Sequence, residues 1–171
     1  AKPCSPRRPA FARGQRGPTR ESFAMKTETI GRPMEVLLVE DDLEDAGLAF
    51  EALRQGEVPC RISLVRDGEE ALEFLHHVGR YARVPRPDII LLDIQLPKLD
   101  GRGVLAAVKA DEALKTIPVV VMTVSRTHEE ILKSEKLHVE SYLTKPFDLQ
   151  QFLSVVKSLR RYLLEDVILP H

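Results

Sequence analysis

Short apolar runs rich in β-branched residues alternate with longer amphipathic stretches along most of this chain, and that alternation restricts the possible folds most. Five such pairs follow one another between Met34 and Leu164. The run Ile89–Leu92 contains no polar residue, as expected of a strand that is buried on both faces. The sequence therefore predicts an α/β domain with a doubly wound, five-stranded parallel sheet.

The pattern also gives approximate bounds for each element. The predicted strands are Glu35–Val39, Arg61–Val65, Asp88–Leu92, Pro118–Met122 and Glu140–Leu143. The predicted helices are Leu43–Gln55, Asp67–His77, Arg102–Ala110, Glu129–Leu137 and Asp148–Leu164. For a sheet of this kind the common strand order is 2-1-3-4-5, which reverses between the first and third strands.

Charge divides the chain into two parts. Residues 1–33 carry eight basic and two acidic side chains, a net +6, which leaves 17 basic and 24 acidic ones, a net −7, in residues 34–171. We expect residues 1–33 to be a disordered basic leader, 34–165 a folded domain, and 166–171 a short tail without an output domain. A translation start at Met25 or Met34 would remove most or all of the leader, so whether it belongs to the protein stays open.

The same features exclude several classes of function. Nucleic-acid binding depends on Lys and Arg, so the acidic folded domain is not expected to bind nucleic acid. The longest apolar runs are too short to cross a bilayer, which predicts no membrane segment. Cys4 and Cys60 provide no disulfide framework, and a reducing, cytoplasmic location is expected.

Acidic residues stand where the predicted sheet should bind a ligand. In doubly wound sheets, ligands bind beyond the carboxyl ends of the strands where the strand order reverses. Four carboxylates occupy those two strand ends: Glu40, Asp41, Asp42 and Asp93. They would repel a flavin phosphate and one another, so the pattern predicts a hard divalent cation, Mg2+ or Mn2+, at this edge. Asp41 or Asp42 could instead cap the first helix.

Two further side chains fall on the same edge of the sheet. Thr123 ends the fourth strand and Lys145 follows the fifth. A hydroxyl and an ammonium group that converge on a carboxylate can stabilise an aspartyl phosphate. Asp93 would then attack phosphorus, with the metal ion bridging it to the incoming oxygens.

Five separated motifs resemble the receiver domain of two-component response regulators, over about residues 34–165. They are V-L-L-V-E-D-D at 36–42, L-L-D-I-Q-L-P at 91–97, Gly101, V-V-V-M-T at 119–123 and S-Y-L-T-K-P-F at 141–147. The resemblance implies a flavodoxin-like fold in which Asp93 accepts a phosphoryl group from a sensor histidine kinase. It implies a response regulator without an output domain, which promotes only its own phosphorylation and dephosphorylation and signals through phosphorylation-dependent protein contacts.

The resemblance also assigns roles to individual residues. Glu40, Asp41, Asp93 and the Gln95 carbonyl would hold the metal ion, with Glu40 acting through water. Thr123 and Lys145 would stabilise the phosphoryl group, and Thr123 and Tyr142 would form the switch. Pro146 resembles a proline that follows the lysine through a cis bond. Val124 is bulkier than the residue often found there, which could narrow access to the phosphoryl group.

A narrower resemblance concerns the small regulators that are paired with bacterial phytochrome kinases. The loop before the third strand, L-H-V-E-S-Y-L-T-K and the tail Y-L-L-E-D-V-I-L-P carry it. It implies a phytochrome as kinase and a homodimer formed through the last strand and helices. The alternative function is a small phosphohydrolase with an aspartyl nucleophile. Gln95 stands where such enzymes usually have an acid, which favours the receiver.

Overall fold

The computed structural model describes residues 31–54, 59–124, 126–134 and 139–159. Its sheet has five parallel strands, in the predicted order β2-β1-β3-β4-β5. The strands are β1 Met34–Val39, β2 Cys60–Val65, β3 Ile89–Asp93, β4 Val119–Thr123 and β5 Ser141–Thr144. The helices are α1 Leu43–Arg54, α2 Gly68–Leu75, α3 Gly101–Ala110, α4 Arg126–Ser134 and α5 Leu149–Ser158.

Apolar side chains on both faces of the sheet explain why its central strands lack polar alternation. Successive side chains of a strand point to opposite faces. Met34, Val36 and Leu38 of β1 therefore pack with α1 and α5, while Leu37 and Val39 pack with α2, α3 and α4. The confirmed α/β fold thus consists of one sheet between two layers of helices. None of the helices in the described ranges is long and apolar enough to span a bilayer.

Helices α2, α3 and α5 each begin at an aspartate that accepts a hydrogen bond from the first turn. Asp67 accepts from the Glu70 amide, Asp100 from the Gly103 amide and Asp148 from the Gln151 amide. Such caps satisfy amide groups that have no partner within the helix. The cap at Asp67 confirms the predicted start of the second helix. That helix ends at Leu75, before the predicted His77, whose φ of 56° lies in the left-handed region.

The fourth helix begins at Arg126, three residues before the predicted Glu129. Its first turn is polar and offers no apolar periodicity from which a start could be read. The predicted helix ends at Gln55, Leu137 and Leu164 lie outside the described residues, as do residues 1–30 and the tail 166–171.

A buried carboxylate joins the residues before β1 to the amino end of β3. Asp88 is 8% exposed and accepts two hydrogen bonds from the Arg32 guanidinium, at 2.7 and 2.8 Å. It also accepts one from the Glu35 amide at 2.8 Å. This contact fixes the edge of the sheet that lies opposite the acidic residues.

Candidate functional site

The strand register brings Glu40 and Asp93 to neighbouring positions at the reversal of strand order. Val39 of β1 pairs with Leu92 of β3, so the next residue on each strand meets its counterpart at the carboxyl edge. Both side chains are buried, with Glu40 1% and Asp93 8% exposed. This agrees with the position expected for a ligand site in a doubly wound sheet.

Three carboxylates converge at this edge. Ligand oxygens of Glu40, Asp41 and Asp93 all lie within 4.8 Å of one another. Asp42, the fourth acid that the sequence assigns to this edge, caps α1 instead. Its Oδ1 accepts hydrogen bonds from the amides of Glu44 and Asp45, at 2.8 and 3.0 Å.

The ammonium group of Lys145 lies against these acids. Its Nζ is 2.5 Å from Glu40 Oε2, 3.0 Å from Asp93 Oδ2 and 3.0 Å from Asp45 Oδ2. Burial lowers the pKa of Lys145, but the three carboxylates outweigh burial and hold that pKa above its ordinary value. Lys145 therefore stays charged and neutralises part of the acidic cluster.

Glu40 is the most strongly perturbed acid of the cluster. Its pKa is raised from 4.5 to about 7, chiefly by burial and in part by the neighbouring Asp93, while Lys145 opposes the change. Its Oε2 is buried and, among the described residues, its close polar contact is the ion pair with the Lys145 ammonium at 2.5 Å. A buried carboxylate that shares one ammonium group with its neighbours, beside two further carboxylates, fits a hard cation such as Mg2+ or Mn2+.

Backbone contacts hold Asp93 in place. Its Oδ1 accepts a hydrogen bond from the Gln95 amide at 3.0 Å, while its Oδ2 faces Lys145. Gly101 packs against the same strand end, and a Cβ atom there would lie 2.3 Å from the Asp93 carbonyl oxygen. Only glycine fits this close approach of α3 to the strand.

A cavity of about 290 Å3 contains the acidic residues and continues toward β5. Thr123 (7% exposed) and Val124 (67% exposed) line it together with Gln95 and Lys145. The same two residues line a second cavity of about 690 Å3, whose other walls are Glu129, Glu130, Lys133, Tyr142 and Thr144. Thr123 and Val124 thus lie between the acidic site and the half-buried Tyr142.

Several other sequence expectations can be located. The Lys145–Pro146 peptide bond is cis, as the resemblance implied. The Gln95 side chain is exposed at the cavity wall, and its carbonyl as a metal ligand stays a prediction.

Sequence reasoning missed Asp45. It stands in the first turn of α1, four residues after Asp41, and meets a lysine 100 residues away in the chain. An acid in the first helical turn is common because it favours the helix dipole, so its position alone did not mark it. The available signal was its place in the helix that directly follows the acidic loop.

Comparisons with known proteins agree with this geometry. The family model for the response regulator receiver domain matches residues 36–157. Response regulator Rcp1 of Synechocystis sp. (strain ATCC 27184 / PCC 6803 / Kazusa) is 43% identical over 138 residues, which cover 81% of this chain and 94% of Rcp1.

Two solved structures are similar over most of the chain. The phosphorylated cyanobacterial phytochrome response regulator RcpA is 44% identical with a TM-score of 0.65, covering 82% of this chain and 100% of that one. The Mn2+-bound form of Rcp1 is 42% identical with a TM-score of 0.63, covering 81% and 100%.

Proposed function

The chain belongs to the response regulator receiver family, related to cyanobacterial phytochrome response regulators, and we propose that Asp93 is its phosphoacceptor. The observation that carries this proposal is the surroundings of the Asp93 carboxylate. It is buried at a strand end, 3.0 Å from the Lys145 ammonium and beside two further carboxylates. A buried carboxylate beside two others does not stabilise the fold by itself, but it is well placed to act as a nucleophile.

The reaction needs little covalent chemistry from the protein. An oxygen of Asp93 forms a bond to phosphorus of a phosphohistidine, the P–N bond breaks, and the imidazole leaves with the bonding electron pair. Water later attacks the same phosphorus, which returns the carboxylate and releases inorganic phosphate. Lys145 pairs with a phosphoryl oxygen, and the Thr123 hydroxyl donates a hydrogen bond to another.

A divalent cation completes the site in this proposal. Glu40, Asp41, Asp93 and the Gln95 carbonyl would hold Mg2+ or Mn2+, with Glu40 acting through water. The cation supplies charge stabilisation for the phosphoryl oxygens. Rcp1 has been solved with Mn2+ bound, and the oxygen donors of this chain fit the same kind of ion.

The switch in this proposal runs from Thr123 to Tyr142. Phosphorylation draws the Thr123 hydroxyl toward the phosphoryl group, and the Tyr142 ring moves into the space beside it. The cavity that Thr123 shares with Tyr142 supports this route. The changed surface of β5 and its neighbouring helices would then contact a downstream protein or form a homodimer.

We place a sensor histidine kinase upstream of Asp93. The name of the related RcpA, a phytochrome response regulator, supports a phytochrome as that kinase. A cytoplasmic location belongs to the same proposal, because the kinase draws its phosphoryl groups from ATP. The phosphohydrolase alternative is not favoured, since the amide of Gln95 cannot act as a general acid.

Incubation with acetyl phosphate and Mg2+, followed by intact-mass measurement, tests the phosphoacceptor. We expect one added phosphoryl group in the wild type and none in Asp93→Asn. Asp100→Asn is the matched control, because Asp100 lies in the same loop and caps α3, a role that asparagine also fills. No adduct from acetyl phosphate or a phosphorylated kinase, or an adduct that persists in Asp93→Asn, would refute the assignment.

The switch can be followed with one fluorophore, since the chain contains no tryptophan. Beryllofluoride should shift the emission of a Tyr142→Trp variant and leave that of a Tyr81→Trp control unchanged. An unchanged Tyr142→Trp emission counts against the switch. Light scattering that gives the monomer mass with and without phosphorylation would exclude the homodimer.

A further inference from the structure

Lys145 contacts three carboxylates, which differ in their exposure and in whether they belong to the proposed metal and phosphoryl site. Glu40 and Asp93 belong to the proposed metal and phosphoryl site, and their side chains are 1% and 11% exposed. The third carboxylate, Asp45, has a side chain that is 40% exposed and reaches Lys145 from α1. Asp45 also lines the acidic cavity, yet it is not among the three acids that converge for a metal ion.

Three carboxylates already share the Lys145 ammonium group in this arrangement. Lys145 Nζ donates to Asp45 Oδ2 and to Asp93 Oδ2, each at 3.0 Å. An ammonium group has only three N–H bonds. A phosphoryl group on Asp93 adds several strong acceptor oxygens, which would compete with Glu40, Asp45 and Asp93 for this one ammonium group. Asp45 is the one of the three that stands outside the proposed metal and phosphoryl site, so its bond to Lys145 can be given up without disturbing that site.

We propose that Asp45 competes with the phosphoryl group for the Lys145 ammonium and thereby sets how tightly the site binds phosphoryl groups. This inference rests on the proposed function of Asp93 and Lys145. Asp45 is a positioning residue in it: it acts through Lys145 and touches neither the phosphoryl group nor the acceptor. Its removal should free Lys145 and tighten the binding of an anionic phosphoryl analogue.

Beryllofluoride titration in saturating Mg2+ measures that affinity. Asp45→Asn should bind about two- to fivefold more tightly than the wild type, the range expected for loss of one partly exposed ion pair. Asp45→Glu, which keeps the charge, should return the affinity to within about twofold of the wild type.

Asp42→Asn is the matched control for a general change of charge. It removes one negative charge from the same loop, and asparagine still caps α1. Its affinity should change less than that of Asp45→Asn. Equal tightening in both variants would assign the effect to overall charge and overturn the proposal. Unchanged or weaker binding by Asp45→Asn would also overturn it, the weaker case making Asp45 a support for Lys145 and not a competitor.

A metal-free measurement examines the contact directly. In EDTA, the NMR signal of the Lys145 ammonium should shift in Asp45→Asn and stay in place in Asp42→Asn. An unshifted signal in Asp45→Asn would contradict the contact on which the proposal depends. Failure of the wild type itself to bind beryllofluoride would instead refute the proposed function.

Discussion

Lys145→Met should lower the unfolding free energy of the metal-free protein, and a divalent cation should restore about half of that stability. The Lys145 side chain is 10% exposed, and two of its three partners are nearly as buried. Removing one partner of a buried ion pair costs about 3–5 kcal/mol, while an exposed pair contributes about 0–1 kcal/mol. Glu40, whose pKa is already about 7, can bind a proton and so relieve part of the repulsion among the carboxylates that Lys145→Met leaves unpaired. We therefore expect a loss of about 3 kcal/mol at pH 8.

Urea unfolding in EDTA and in Mg2+ at constant ionic strength measures this difference. A cation that binds only the folded protein adds stability that grows with its affinity, about 2.7 kcal/mol at a hundred times the dissociation constant. Without the competing ammonium, the acids should hold Mg2+ more tightly. A tenfold gain in affinity would reduce the deficit of Lys145→Met by about 1.4 kcal/mol.

The matched control is a second lysine that pairs with a buried acid. Lys109 Nζ lies 2.5 Å from Glu140 Oε1, with side chains 19% and 5% exposed, at the opposite edge of the sheet. Lys109→Met should be destabilised equally in EDTA and in Mg2+. If Lys145→Met shows the same deficit in both conditions, the acids beside Lys145 do not share a cation and the reasoning fails.

Three further predictions concern the fold around the site. Arg32→Ala should lower the unfolding free energy by about 1–3 kcal/mol, because it leaves the buried Asp88 without its guanidinium partner. Arg61→Ala removes an arginine whose side chain is 70% exposed in its pair with Glu35, so it should change that free energy by less than about 0.5 kcal/mol in the same urea titration. The Glu40 pKa is raised from 4.5 to about 7 in the folded protein, chiefly by burial, so the folded protein binds a proton on Glu40 more tightly than the unfolded chain does. The unfolding free energy of the metal-free protein should therefore fall as the pH rises from 4.5 through 7. Glu40→Gln should lack that fall, and identical pH profiles of the two proteins would contradict the prediction. Gly101→Ala should lower the unfolding free energy by about 1–3 kcal/mol, because the added Cβ would overlap the backbone at the end of β3. Thermal unfolding that matches the wild type would disprove the close approach of α3 to this strand end.

The fold could be predicted because its local signals agree with one another. Runs such as Ile89–Leu92 indicate a doubly covered sheet, and Asp67 marks the start of a helix. The switch-point rule then placed Glu40 and Asp93 together without any knowledge of side-chain contacts. The start of α4 could not be predicted, because a first helical turn of polar residues leaves no apolar pattern in the sequence.

Which side chains belong to the site was harder to predict than which edge of the sheet the site occupies. Asp41 and Asp42 are adjacent acids with the same chemistry, and capping geometry at α1 determines which one faces Asp93. Asp45 is near in sequence to the loop, but its partner Lys145 lies beyond the fifth strand. Sequence spacing states which residues reach an edge of the sheet; it does not state which side chains turn inward.

The backbone around Thr123 indicates what kind of movement the proposed switch can use. Thr123 lies within β4, opposite Thr144 of β5, and its carbonyl accepts a hydrogen bond from the Lys145 amide at 2.9 Å. Displacing this strand would break sheet hydrogen bonds on both sides, whereas rotating the side chains of Thr123 and Tyr142 breaks none of them. Because the two side chains border one cavity, there is room for that rotation. The response to phosphorylation is therefore expected in the environment of Tyr142, with hydrogen-exchange protection of β4 unchanged.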